Sequence, residues 1–207
     1  MKDSLAALTG ALLVAHCAAA LAASSVDLSV TGAITPSACV PSLSEGGQVD
    51  FGKLAAKDLA VDRSTELPPV SLQLSVNCEA QTLFALNARD NRLGSAHFFL
   101  SGNYGLGLIN GGEKLGSYGI GVFNPVADTP VQPLFSFDHG ETWLVNSSGS
   151  YMGHDYWNAF GDSPTPKALR NVTVELRISA YIAPARTLTL TEEVPLDGSA
   201  TLDVVYL

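Results

Sequence analysis

Three stretches of this chain alternate strictly between apolar and polar residues. A period of two fits a β-strand with one buried face and excludes an amphipathic helix. Val70, Leu72, Leu74, Val76 and Cys78 alternate with Ser71, Gln73, Ser75 and Asn77. Val172, Val174, Leu176, Ile178, Ala180 and Ile182 alternate with Thr173, Glu175, Arg177, Ser179 and Tyr181. Leu202, Val204 and Tyr206 alternate with Thr201, Asp203 and Val205. Helical periodicity is absent apart from a turn or two near Lys53–Leu59. Turn signals recur at Gly46-Gly47, Pro68-Pro69, Gly111-Gly112 and Asp197-Gly198. Short strands separated by such turns predict an all-β antiparallel sandwich.

The middle of the chain breaks the pattern. Eight glycines fall between Gly102 and Gly121, and Pro, Ser, Asn and aromatics mix between Asn124 and Pro166. This predicts an irregular Gly- and aromatic-rich insertion at about 95–165, with short hairpins near Tyr118–Phe123 and Leu134–Phe137. A separate domain of that size without disulfides would be hard to stabilise, so the segment decorates the same sandwich.

The first residues are an address. Lys2 precedes a Leu- and Ala-rich run that ends in Ala20-Leu21-Ala22. This predicts a secretory signal over 1–23, cut after Ala22 or Ala23. Cys17 leaves with it. Cys39 and Cys78 remain, and an even pair in a secreted chain implies a disulfide. Two cysteines so far apart, with no His near either, make a poor zinc site.

Other functions are disfavoured by what the residues offer. A formal charge of −9 argues against a nucleic-acid groove. His97, His139 and His154 match no H-E-x-x-H pattern. No G-x-S-x-G elbow, P-loop or dinucleotide fingerprint is completed. No enzyme activity, catalytic residue, metal or cofactor is expected. Trp143, Tyr151, Tyr156, Trp157 and Phe160 cluster in the irregular segment. They read either as packing of loops onto the sheet or as a partner or carbohydrate surface.

Just after the signal, Val26, Leu28, Val30 and Ile34 share one strand face, with Gly32 in the same register. A strand glycine at such a position marks close approach of something bulky or of another backbone. "GAITPSACVP" carries this glycine seven residues before Cys39, "GGQVDFGKL" follows at Gly46–Leu54, "VSLQLSVNC" ends at Cys78, and "ATLDVVYL" closes the chain with a penultimate Tyr206. In this order the four segments resemble a subunit of bacterial chaperone–usher pili (fimbriae), over about 24–90 and 170–207.

The resemblance implies an immunoglobulin-like sandwich lacking its final strand. The domain at 37–207 would then be preceded by a donor-strand extension at 24–36. It implies that Val26, Leu28, Val30, Gly32 and Ile34 form the donor strand. Leu202, Val204, Tyr206 and Leu207 would line the groove and bind a chaperone. The implied partners are a periplasmic pilus chaperone, an outer-membrane usher and other pilus subunits, with no nucleic acid. The implied function is that of a structural subunit of a surface pilus, contributing to cell adhesion. Such a subunit is secreted through the periplasm and polymerises by donor-strand exchange. The alternative is a stand-alone secreted β-sandwich carbohydrate-binding module, which needs the strand at Val26–Pro36 to pair within its own domain.

Overall fold

The computed structural model describes residues 29–31, 38–98 and 102–207. Contacts divide the chain into two units, Met1–Ile34 and Thr35–Leu207, and the fold below is that of the second. The signal at 1–23 lies outside the described residues, as do Val26, Leu28, Gly32 and Ile34. Among the described residues no helix is long and apolar enough to cross a membrane.

The strands in chain order are β1 (Cys39–Leu43), β2 (Thr65–Glu66), β3 (Val70–Thr82), β4 (Phe84–Asp90) and β5 (Tyr104–Gly105). The middle of the chain supplies β6 (Leu108–Ile109), β7 (Glu113–Lys114), β8 (Gly116–Ala127), β9 (Gln132–Ser136), β10 (Leu144–Val145), β11 (Ser150–Tyr151) and β12 (Trp157–Gly161). The long β13 (Leu169–Ile182) and β14 (Ala200–Tyr206) complete the set. Among the described residues helical structure is limited to short 3-10 turns, one of them at Ala56–Asp58 within the expected turn region.

The strands form an immunoglobulin-like antiparallel sandwich. One sheet runs β1-β3-β13-β8-β11, with β2 also on β13 and β5 on β8; the other runs β10-β9-β12-β4-β14. Their inner faces share one core, in which Leu74, Val76, Val174 and Leu176 meet Leu86 and Phe160. The alternation places these residues inward: Leu72, Leu74, Val76 and Cys78 are buried while Ser71, Gln73 and Asn77 are exposed. Cys39 lies opposite Cys78 in the β1–β3 register, and a disulfide joins them. A covalent staple across a loop of this length adds about 4 kcal/mol in the chain-entropy model.

The segment 95–165 is more than a decoration. Only short hairpins were expected there, yet β8 is twelve residues long and pairs with β13 along most of its length. Its glycines hide it from a periodicity count. A Cβ at Gly116 would meet the Tyr181 carbonyl oxygen at 2.3 Å, and one at Gly121 would meet the Phe123 ring at 2.5 Å. Close strand packing therefore requires glycine where an alternating pattern would show a side chain.

Candidate functional site

Among the described residues the groove between the two sheets is unfilled. β14 is the last strand of its sheet and pairs only with β4 among the described residues. Asn91 N–H donates to the Ser199 carbonyl, and Leu207 N–H donates to the Leu83 carbonyl. In an antiparallel ladder the residues bonded to the neighbour alternate with those facing away. Odd positions of β14 thus carry the ladder. Ala200, Leu202, Val204 and Tyr206 turn their N–H and C=O groups to the open edge. The side chains of Ala200, Leu202 and Val204 point the other way round the strand, onto the core, where they are only partly buried.

Opposite β14 stands β1, the edge of the other sheet. The Cys39 N–H donates to the Tyr206 hydroxyl at 3.0 Å and closes one end of the groove. Away from that end the walls separate. Leu43 and Leu202 face each other across a cavity of about 380 Å³ whose floor is Leu72, Ile120 and Leu176 from the opposite sheet. A second cavity of about 450 Å³ continues it, lined by Leu54, Leu59, Leu190 and Val194. Val49, Phe51 and Leu196 line both. The floor is core surface that a complete sandwich would cover. Tyr118 also lines this groove, and burial raises its phenol above the usual tyrosine range, so it stays neutral.

Charge is sparse here. Lys53 and Glu193 pair at 3.2 Å at the mouth, but both are more than four-fifths exposed, so the pair contributes little. A slot of apolar pockets beside a row of free main-chain groups can take an extended strand.

The expected site residues fall as follows. Leu202 lines a cavity, and Val204 and Tyr206 stand on the open edge toward its closed end. Leu207 is 43 % exposed just beyond it. Of the donor-strand residues only Val30 is described, and it is exposed. The sequence reading missed Val49, Phe51, Leu190, Val194 and Leu196. Their signal was present, because Leu188, Leu190, Val194 and Leu196 keep even spacing through a stretch without regular structure.

The aromatic cluster divides. Phe160 belongs to the main core, and Trp143 and Trp157 pack over Ala85, Leu134 and Ala159 on the outer face of the five-stranded sheet. Tyr156 meets Phe137 edge-on at 4.6 Å, while Tyr151 is 70 % exposed. His154 pairs with its neighbour Asp155, and His139 lies edge-on to Trp157. Among the described residues no group of His, Cys, Asp or Glu could hold a metal ion.

Known proteins resemble this chain along nearly its whole length. It is 29 % identical to protein GltF of Escherichia coli (strain K12), over 98 % of this chain and 96 % of that one. It is 27 % identical to the uncharacterized protein YhcF of the same organism, over 88 % and 90 %. Residues 28–102 match the family described as "Protein of unknown function (DUF1120)". Among solved structures the chain is similar to the P pilus rod subunit PapA, at 14 % identity and a TM-score of 0.36, over 81 % of this chain and 99 % of that one. It is also similar to a subunit of a chaperone–usher pilus studied for rod uncoiling, at 14 % identity and a TM-score of 0.38, over 92 % and 100 %.

Proposed function

We propose that the chain is a structural subunit of a surface pilus and that it polymerises by donor-strand exchange. The supporting observation is the open edge of β14 above a groove whose floor is uncovered core. A strand laid there would bond the free groups of Ala200, Leu202, Val204 and Tyr206. The segment 24–36 of another copy has the matching pattern. Run antiparallel to β14, Val26 and Leu28 would lie toward Tyr206, and Val30 would lie against Leu202. Gly32 would sit beside Ala200, and Ile34 would enter the cavity of Leu190 and Val194.

Burying four aliphatic side chains contributes roughly 6–12 kcal/mol as an upper bound. That approaches the whole stability of a typical domain, about 5–15 kcal/mol. Donor-strand exchange would therefore hold a fibre together without covalent links. The contact is head to tail, so it propagates rather than closes. Until a subunit arrives, a periplasmic chaperone would supply the strand, meeting the exposed Leu207 at the end of β14. An outer-membrane usher would pass the subunits to the cell surface, where the fibre contributes to adhesion.

The test is a domain lacking residues 1–36, co-purified with a periplasmic pilus chaperone and given a synthetic peptide spanning Ser25–Pro36. The peptide should release the chaperone and raise the thermal midpoint by tens of degrees, whereas a Gly32→Trp peptide should do neither. A truncated domain that is stable alone and indifferent to the peptide would overturn the reading.

A further inference from the structure

The outer face of the seven-stranded sheet carries a second concavity, unconnected with the groove. It measures about 700 Å³, within the range of small-molecule pockets. Its floor is three cross-strand pairs of β8 and β13: Ser117 with Tyr181, Gly119 with Ser179, and Gly121 with Arg177. Each pair contains at least one small residue, so the floor is low. Tyr151 and Asn103 also line it.

The two floor glycines have different reasons. Gly121 makes room for the Phe123 ring, which Gly149 also accommodates and over which Arg177 stacks at 4.3 Å. That ring is fixed in place. Gly119 has no such duty. Its backbone is not left-handed, and a Cβ there would meet only Asn103 Oδ1 at an ordinary 3.7 Å. Glycine inside a strand costs roughly 0.5–1 kcal/mol relative to alanine. Among the described residues nothing returns that cost, and the open space at Gly119 leaves room for an outside group to approach the sheet closely.

We propose that this trough binds a neutral saccharide, with a ring seated over Gly119 between Tyr151 and Tyr181. The chemistry favours that class. The exposed rings of Tyr151 and Tyr181 meet the C–H face of a sugar, and the half-buried Ser179 and Asn103 offer hydrogen-bond partners to its hydroxyls. Arg177 is already paired with Glu175 at 3.1 Å and stacked on Phe123, so no free cation awaits an anionic ligand. The chain's net charge of −9 also opposes an anion. An extended peptide gains no main-chain ladder here, because β8 and β13 are each paired on both sides.

The test uses the full secreted chain against gluco-, manno- and galacto-oligosaccharides and one sialylated oligosaccharide. Saturation-transfer NMR detects binding and calorimetry gives the affinity. At least one neutral sugar should bind at millimolar concentration or below, and no worse than the sialylated one. Gly119→Val and Tyr151→Ala should each weaken it about tenfold or more, about 1.4 kcal/mol. Neither variant should lower the parent's thermal midpoint, and both should keep its response to the Ser25–Pro36 peptide. No binding by any neutral sugar, preference for the sialylated one, or unchanged affinity in both variants would overturn the proposal. So would loss of self-association in Gly119→Val without sugar binding by the parent, which would assign the face to a second copy. The peptide assay reads the groove alone, so either proposal can fail without the other.

Discussion

Leu202→Asp separates the groove from the fold around it. In the empty groove Leu202 is only partly buried and its side chain faces a cavity, so a carboxylate there stays hydrated. The empty domain should therefore unfold within a few degrees of the parent. A bound donor strand changes the balance. It removes burial worth ~1.5–3 kcal/mol for a leucine and must also dehydrate an unpaired carboxylate, which costs ~1–3 kcal/mol even after the group protonates. The sum, about 4 kcal/mol, is a loss of about a thousandfold in affinity for the Ser25–Pro36 peptide. The control is Asp203→Asn, one residue along on the opposite face. Asp203 pairs with Arg89 at 2.9 Å, but both side chains are well exposed and the pair is worth at most about 1 kcal/mol. Fluorescence anisotropy of a labelled peptide measures both. Equal effects of the two substitutions would refute the alternation of β14 on which the groove rests, and so would undiminished binding by Leu202→Asp.

Three further outcomes are expected. Replacing Cys39 and Cys78 together with alanine should lower stability in denaturant titrations by about 4 kcal/mol, the chain-entropy value for a loop of this length. Gly116→Ala, whose Cβ would meet the Tyr181 carbonyl oxygen, should cost ~1–3 kcal/mol, while Gly119→Ala should raise stability by roughly 0.5–1 kcal/mol. Acid should destabilise the fold. Hydrogen bonds from Ser136 and Thr142 lower the Asp138 carboxyl to about 2, and Asp128 and Asp197 are lowered by their own donors. A depressed carboxylate adds stability that is complete above its unfolded value near 3.9 and is lost as pH falls toward the folded one. The thermal midpoint should drop between about pH 4 and 2, less steeply in Asp138→Asn.

Legibility in the sequence followed burial. β3, β13 and β14 could be read because each sets one face on the core and the other in solvent or at an edge. β8 could not, because its outer face is Ser117, Gly119 and Gly121, and glycine carries no polarity signal. β12 escaped, and β9 showed only as a short hairpin near Leu134–Phe137, for another reason. Trp143 and Trp157 cover their outer face, so both faces are buried and the period of two disappears. The groove was half visible. Leu202 and Val204 announced an edge strand, but Val49, Phe51 and Leu190 become its walls only when irregular segments fold beside it.

The disulfide has a mechanical meaning. β1 is a five-residue edge strand, and its first residue is Cys39. Tension drawn along the backbone from the segment before it would ordinarily peel such a strand away one hydrogen bond at a time. Here the load reaches Cys39 first and passes through sulfur to Cys78, in a thirteen-residue strand that is paired on both sides. β1 is thereby bypassed, and the wall of the groove keeps its shape while the chain that leads into it is pulled.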